Sequence, residues 1–361
     1  MREMPFCCQR NAVSLKVTFL ARKLAKAGFF QYLCRELTTE ITKMMYRRCG
    51  QSGVLLPEIC LGMWHNFGCL TPYETSRAIA LTAFECGITH FDLANNYGPE
   101  PGAAEYFMGS MMRSDFCAHR DELFISTKAA YDMWEGPYGS WASRKHLVAS
   151  LNQSLKRMNL EYVDLFYCHR YDPNTPLEET LQTLVDVVRQ GKALYVGLSR
   201  WPLTAACFGY KYLKDRDVPC LIYQGRLNLL DRVPQQEGIV KQCQENGVGF
   251  ISFSPLAQGL LTDRYLNGIP EDSRIAHDPR FLNADALTLE RLSQIRALNE
   301  IAAQRGESLA TMALAWVLQQ KGVTSVIVGA SSPEQLRSNL KAMESAPFST
   351  EEMEQINKLT K

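Results

Sequence analysis

Four residues at the ends of apolar runs in this chain make up a set that could donate a proton to a carbonyl oxygen. Asp92 and Tyr97 lie in HFDLANNYG, Lys128 closes ELFISTK, and His169 closes VDLFYCH. Tyr97 is the candidate general acid. A free phenol has a pKa of about 10 and is a weak donor near neutral pH. One ammonium about 4 Å away, at an effective dielectric of about 20, is worth about 4 kcal/mol, enough to make the phenol acidic. Lys128 is expected to supply that cation and to lower the Tyr97 pKa. Asp92 is expected to keep the lysine charged and aimed, because an unpaired buried ammonium sheds its proton. His169 is expected to hydrogen-bond the carbonyl and orient it. Taken singly, the aspartate also reads as a turn former, the lysine as a solvated strand end and the histidine as structural. In this order, at successive strand ends, they read as chemistry.

The elements that must carry them alternate. Helices are expected over 72–87, 101–114, 144–158, 177–190, 202–214 and 236–246, and strands over 89–94, 122–128, 163–169, 193–199, 220–226 and 248–254. Two short strands around a glycine turn and a strand over 59–64 precede them. A helix over 308–320, a strand over 324–329 and helices over 333–345 and 350–359 follow. The strands are nearly unbroken apolar runs such as VDLFYCH, ALYVGLS and VGFISFS, the mark of strands covered on both faces. Eight strand-then-helix units from residue 59 give an α/β chain of the (β/α)8 TIM-barrel class, with an N-terminal β-hairpin, a long loop after the seventh barrel strand and extra C-terminal helices. In such a barrel the C-terminal strand ends share one mouth, where the chemistry is placed. A doubly wound open sheet is the competing arrangement, and no GxGxxG follows an early strand to support it. Residues 256–287 break the rhythm as a loop rich in Gly, Asp, Asn and Pro, the length of a lid or binding element. An extra helix over 288–305 follows it.

Composition narrows the class of partner. The 361 residues carry a formal net charge of +1 and 46% apolar residues, so no global field steers nucleic acid or an acidic partner. No apolar stretch approaches the roughly 20 residues of a membrane span. The 12 cysteines include no CxxC pair; Cys60, Cys86, Cys168, Cys220 and Cys243 lie in apolar runs as small hydrophobes. A reducing, cytoplasmic compartment and no metal site are expected. Residues 1–45 are basic, with Arg2, Arg10, Lys16, Arg22, Lys23, Lys26, Arg35 and Lys43 against Glu3, Glu36 and Glu40. They are expected to form a poorly ordered extension without catalytic parts, and they make a poor secretory or mitochondrial signal. The barrel is expected over 46–361.

GITHFDLANNYGP, ISTKAAYDMWEGPYG, SLKRMNLEYVDLFYCHR and GKALYVGLS resemble the aldo-keto reductase superfamily from about residue 46 onward. They look very similar to a branch of bacterial-type L-glyceraldehyde 3-phosphate reductases, also reported on methylglyoxal. The β subunits of voltage-gated potassium channels are related to that branch. The resemblance implies a (β/α)8 barrel, NADPH/NADP+ as cofactor, a small carbonyl compound as substrate, and the roles given above for Tyr97, Lys128, Asp92 and His169. It implies Ser199 and Gln224 on the nicotinamide amide, with Arg200 beside them, and Phe253 stacked on the ring before Ser254 and Leu256. Gly329, Ser331, Gln335 and Asn339, in VIVGASSPEQLRSN, are implied at the adenosine phosphate, near a helix N-terminus. Gly259, Leu261, Thr262 and Arg264 of the long loop are implied at the pyrophosphate. Trp64, Tyr131, Trp134, Tyr138 and Trp201 are expected around the mouth, with Trp64 also near the cofactor, and Arg170 is expected to grip a substrate anion. A homo-oligomer is compatible with this reading.

Some positions depart from the family text. Gly225, Arg226 and Leu227 stand where close relatives read Pro, Ser and Tyr. Ala130 stands where a glycine is common, and Trp141–Ala142 replace Gly-Gly. The channel subunits typically carry Asn where His169 stands, so the histidine favours an enzyme over a cofactor-binding regulatory subunit. An isomerase or lyase on the same barrel would call for paired carboxylates or metal ligands at the strand ends.

Overall fold

The computed structural model describes residues 44–68, 70–98, 100–271, 275 and 282–360. The expected extension over 1–45 therefore lies outside the described residues except for Met44 and Met45. The family-like part is a closed barrel of eight parallel strands.

A hairpin of β1 (Tyr46–Arg48) and β2 (Leu55–Pro57) comes first and pairs antiparallel. The barrel strands are β3 (Ile59–Gly62), β4 (His90–Asp92), β5 (Phe124–Ala129), β6 (Val163–Cys168), β7 (Ala193–Ser199), β8 (Cys220–Arg226), β9 (Gly249–Phe253) and β10 (Val323–Val328), with β10 closing on β3. Between them run α1 (Tyr73–Glu85), α2 (Ala103–Arg113), α3 (Arg144–Met158), α4 (Leu177–Arg189), α5 (Leu203–Lys214), α6 (Val233–Gln236), α7 (Ile239–Glu245), α8 (Leu289–Gln304) and α9 (Leu309–Leu318). Helices α10 (Pro333–Leu340) and α11 (Thr350–Leu359) follow β10. Expected and observed bounds agree to within one or two residues for most elements. The short helix α6 was not expected. The helix expected over 333–345 ends at Leu340 and continues as a 3-10 turn, Lys341–Glu344.

Local sequence explains the starts and stops. Ser143, Thr288, Ser308, Ser332 and Ser349 cap five helices through their side-chain oxygens, and Ser349 with Glu352 forms a capping box, satisfying amides that the first turn leaves without partners. Asn159 closes α3 in the left-handed conformation.

Two apolar clusters result. The larger one lies where the helices pack on the barrel's outer face. The smaller one fills the barrel's lower interior, where Leu165, Tyr167, Ile222, Ile251 and Ile327 meet Cys49 and Leu56 of the hairpin segment. The hairpin plugs the end at which the strands begin: Gln51 N–H donates to Gly247 O at 2.9 Å and Cys49 Sγ to Leu221 O at 3.4 Å. Burial pushes the Cys49 thiol up to about 12. A thiol so rarely ionised is an inert packing group, since the thiolate is the reactive form.

One polar contact locks the barrel to its jacket. Glu105 on α2 is fully buried and accepts from Arg157 Nε of α3 at 2.7 Å and from Thr127 Oγ1 of β5 at 2.5 Å. One turn further along α2, a Cβ on Gly109 would stand 2.0 Å from Arg157 O, so the two helices approach closely only because that residue is glycine. Removing one partner from a buried ion pair leaves the other uncompensated. Glu105→Ala is therefore expected to lower unfolding stability by about 3–5 kcal/mol, read from the urea midpoint.

Candidate active site

Side chains on a strand alternate between faces, so residues two apart share one. On β4 this places His90 and Asp92 together, and on β5 Ser126 and Lys128. The parallel register sets Asp92 opposite Ser126 and Lys128 opposite Tyr167. The result is a buried constellation. Lys128 Nζ donates to Asp92 Oδ2 at 2.6 Å, to Leu93 O at 2.6 Å and to Tyr97 OH at 3.3 Å. The lysine and aspartate side chains are 0% and 2% exposed. Asp92 Oδ1 accepts from Ser126 Oγ at 2.8 Å and from Gln224 Nε2 at 3.1 Å. Tyr97 and His169 meet edge to face with ring centroids 5.7 Å apart, and Tyr131 closes on the other side of His169 at 4.7 Å. Thus the aspartate, tyrosine, lysine and histidine do converge.

The electrostatics differ from expectation at Tyr97. Burial first, and then the charge of Asp92, push its phenol well above the ordinary value, while Arg200 opposes them. The expected lowering by Lys128 does not occur. The reason is that burial, the largest influence on this phenol, outweighs the cations around it. Lys128 still offers Tyr97 a hydrogen bond, which strengthens as negative charge develops on the oxygen. Burial also lowers the Lys128 pKa, with Asp92 opposing that fall. His169 is pushed well below its usual range by burial and by the Lys128, Arg200 and Arg170 charges, so it is a neutral imidazole. Its Nδ1 is buried without a partner.

The residues assigned to the cofactor line the strand ends from β7 round to β10. Ser199 and Gln224 are neighbours in register, and Arg200 N–H donates to Gln224 O at 3.2 Å. Ser199 Oγ and Asn339 Nδ2 are buried without protein partners. Nothing lies within 4 Å of where a Gly329 Cβ would stand. Ser332 caps α10 by accepting from Gln335 N–H, and the Gln335 Oε1 accepts from both the amide and the hydroxyl of Ser331. Unpartnered polar groups on one side and open backbone on the other fit the amide and phosphates of a nicotinamide dinucleotide. Phe253 and Ser254 end β9, with Ser254 left-handed at φ 51°. Arg226, one of the departures, lies 5.8 Å from the Phe253 ring and pairs with Asp231 at 3.6 Å. In the long loop, Thr262 Oγ1 donates to Gly259 O at 2.7 Å, Leu261 is buried, Leu256 is half-buried and Arg264 is exposed.

The residues assigned to substrate divide. Trp64 follows β3, and its carbonyl accepts from Gly98 N–H just beyond Tyr97. Tyr131 packs on His169, and its hydroxyl accepts from Arg200 Nη1 at 3.1 Å. Trp134 lies against the His146 ring at 5.0 Å, while Tyr138 is exposed. Trp201 is only 2% exposed and packs on Tyr171 in the core. Arg170 is stacked between Trp141 at 3.8 Å and Tyr131 at 4.5 Å, and its Nε and Nη2 donate to Ala130 O and Ser140 Oγ. That guanidinium holds the loop over 130–142 against the end of β6.

The layer beneath the four, made of His90, Ser126 and Tyr167, was not picked out from sequence. The signal was available, since each is two residues before Asp92, Lys128 or His169 along an extended run. Among the described residues no group of three or more metal-ligating side chains forms. No helix there is long and apolar enough to cross a membrane.

A parallel eight-stranded barrel with this constellation at its mouth defines a class, and the family comparison agrees. The aldo/keto reductase family matches residues 58–361, and the chain belongs to that family. It is an oxidoreductase. It is 55% identical over 318 residues to an L-glyceraldehyde 3-phosphate reductase of Escherichia coli O157:H7, covering 87% of this chain and 92% of the relative. Its identity to the K12 protein of the same description is 54% over the same length and shares. It is 34% identical over 313 residues to a probable voltage-gated potassium channel subunit beta of Oryza sativa subsp. japonica, covering 86% and 94%.

The charge states give a pH profile. With its pKa depressed, His169 does not titrate near the ordinary histidine value of about 6.5. With its pKa raised, Tyr97 keeps its proton below that raised value and loses it only as the pH climbs through it. The kcat for carbonyl reduction is expected to show no inflection around pH 6.5, where an ordinary histidine would titrate. A histidine-like limb in the steady-state profile would contradict the neutral imidazole.

Proposed function

We propose that this chain reduces small aldehydes and ketones to alcohols with NADPH, with glyceraldehyde 3-phosphate and methylglyoxal as candidate substrates. The observation that carries the proposal is the short contact series Asp92 Oδ2–Lys128 Nζ–Tyr97 OH, at 2.6 and 3.3 Å. When bound, the nicotinamide supplies a hydride to the carbonyl carbon. The chain's own residues do the rest. Tyr97 donates the proton from its hydroxyl to the carbonyl oxygen. Lys128 stabilises the tyrosine oxygen through its hydrogen bond as the proton leaves. Asp92 keeps Lys128 charged and pointed, and neutral His169 orients the carbonyl through a ring nitrogen.

Ser199, Arg200, Gln224, Phe253, Ser254 and Leu256 are assigned to the nicotinamide half of the cofactor. Gly259, Arg264, Gly329, Ser331, Gln335 and Asn339 are assigned to the phosphates. Trp64, Tyr131 and Trp134 are assigned to the pocket walls, which exclude water from the transfer, whereas Trp201 is buried in the core and is not a wall residue. Arg170 acts on the substrate through Tyr131, which it stacks. We also propose a reducing cytoplasmic setting, with residues 1–45 as an extension that contributes no catalytic part.

The test is NADPH consumption at 340 nm over a panel of small carbonyl compounds. Tyr97→Phe removes the proton donor and is expected to lower turnover by about 10²–10⁴-fold while NADPH still binds. Wild-type consumption no faster than that variant would sink the reductase reading. Tight NADPH binding without turnover would point instead to a cofactor-binding regulatory subunit.

A further inference from the structure

A chain of hydrogen bonds runs from Asp92 into the barrel interior, and the reduction described above does not use it. Ser126 Oγ lies 2.8 Å from Asp92 Oδ1, and His90 Nε2 lies 3.0 Å from Ser126 Oγ. Cys60 Sγ is 3.0 Å from His90 Nδ1 and 2.8 Å from Ser325 Oγ, which in turn donates to Pro57 O at 2.6 Å. His90, Ser126, Cys60 and Ser325 are all 0% exposed.

A carboxylate only accepts, so the Ser126 hydroxyl points at Asp92. Ser126 Oγ then has only lone pairs to offer His90 Nε2, so that nitrogen carries the ring proton. Burial lowers His90 to about 4, so at neutral pH the ring holds one proton and Nδ1 is bare. The Cys60 S–H is the donor that faces it. The hydroxyl proton of Ser325 is already directed to Pro57 O. The direction of the whole series is fixed at one end, by the charge on Asp92.

We propose that His90 is a positioning residue for the reduction: by donating from Nε2 to Ser126 it holds the serine hydroxyl on Asp92 Oδ1, leaving Oδ2 presented to Lys128. This rests on reading Asp92, Lys128 and Tyr97 as the proton-donating set. The competing acceptor is visible. Phe91 O lies 3.5 Å from Ser126 Oγ, and without His90 the hydroxyl is free to turn toward it. Asp92 would then keep only Gln224 on that oxygen and would pivot. The longest link, Lys128 to Tyr97 at 3.3 Å, is the one a small pivot breaks.

Three measurements on the full chain with NADPH test this. Long-range ¹⁵N correlation on imidazole-labelled wild-type protein is expected to show His90 neutral with its proton on Nε2. A proton on Nδ1, or a charged ring at neutral pH, would overturn the proposal, and this readout needs no variant to fold. His90→Leu is expected to slow single-turnover hydride transfer about tenfold, the weight of one lost buried hydrogen bond. The substrate KM and the NADPH Kd should move less than about twofold, since ground-state binding is untouched. His90→Gln carries an N–H at the same reach and is expected to recover most of the rate. A full rate in His90→Leu, or equal slowing in Leu and Gln variants with a shared loss of thermal stability, would reduce His90 to a packing residue. Lack of turnover in the wild-type protein, read first in the same assay, would fell the reductase reading rather than the tautomer assignment.

Discussion

The buried ion pair between Lys128 and Asp92 is the constraint around which the barrel's mouth is organised. Two opposite charges with almost no exposed surface bear a desolvation cost of several kcal/mol each, which close approach offsets only when the remaining donors and acceptors are also met. Here they are met from many directions. Ser126 and Gln224 donate to the carboxylate from β5 and β8, and Leu93 O accepts from the ammonium just past β4. The pair therefore ties strands on different sides of the barrel to one point. An apolar pair would pack as stably, but it could not leave an ammonium proton facing a tyrosine hydroxyl.

Around this fixed centre, the loop over 130–142 is held in a strained form. Ala130 and Trp141 occupy φ 131° and 69°, conformations that favour glycine. Strain of about 1–3 kcal/mol per residue persists only where the surroundings enforce it. The neck is enforced three ways. Trp141 N–H donates to Ala130 O at 2.9 Å, Arg170 donates to the same oxygen, and the Trp141 ring covers the Arg170 guanidinium at 3.8 Å. Stacking of this kind is worth about 0.5–2 kcal/mol, comparable to the strain. The indole thus helps to hold the loop in place directly beside the Tyr131 ring that abuts His169.

Much of this was legible in the chain. Strands buried on both faces give continuous apolar runs, so VDLFYCH and ALYVGLS mark their elements without ambiguity, and a polar residue closing each run marks the mouth. Helix α6 was not legible because four residues are too short for a period, and the end of α10 was not because 3-10 and α turns share the same apolar spacing. The layer beneath the site was missed for a different reason. His90 and Ser126 look like ordinary strand residues until the parallel register turns them into one barrel interior. The acidity of Tyr97 was misjudged because the lysine charge was weighed without burial, which a sequence does not show and which pushes the phenol up more than any charge near it.

That correction changes what the site must accomplish. On the proposed reading, a phenol kept protonated by burial is a poor acid at rest and gives up its proton to the charge that reduction builds on the carbonyl oxygen. An alkoxide is far more basic than a phenolate, so even a phenol of raised pKa gives up its proton to it readily. The phenolate left behind meets the Lys128 ammonium at hydrogen-bonding distance. On this view the ion pair does not make Tyr97 acidic in advance. It keeps a donor aligned, at no reorganisation cost, for the moment when negative charge reaches the tyrosine oxygen. The neutral His169 fits the same logic, because an imidazolium there would repel the Lys128 charge on which that moment depends.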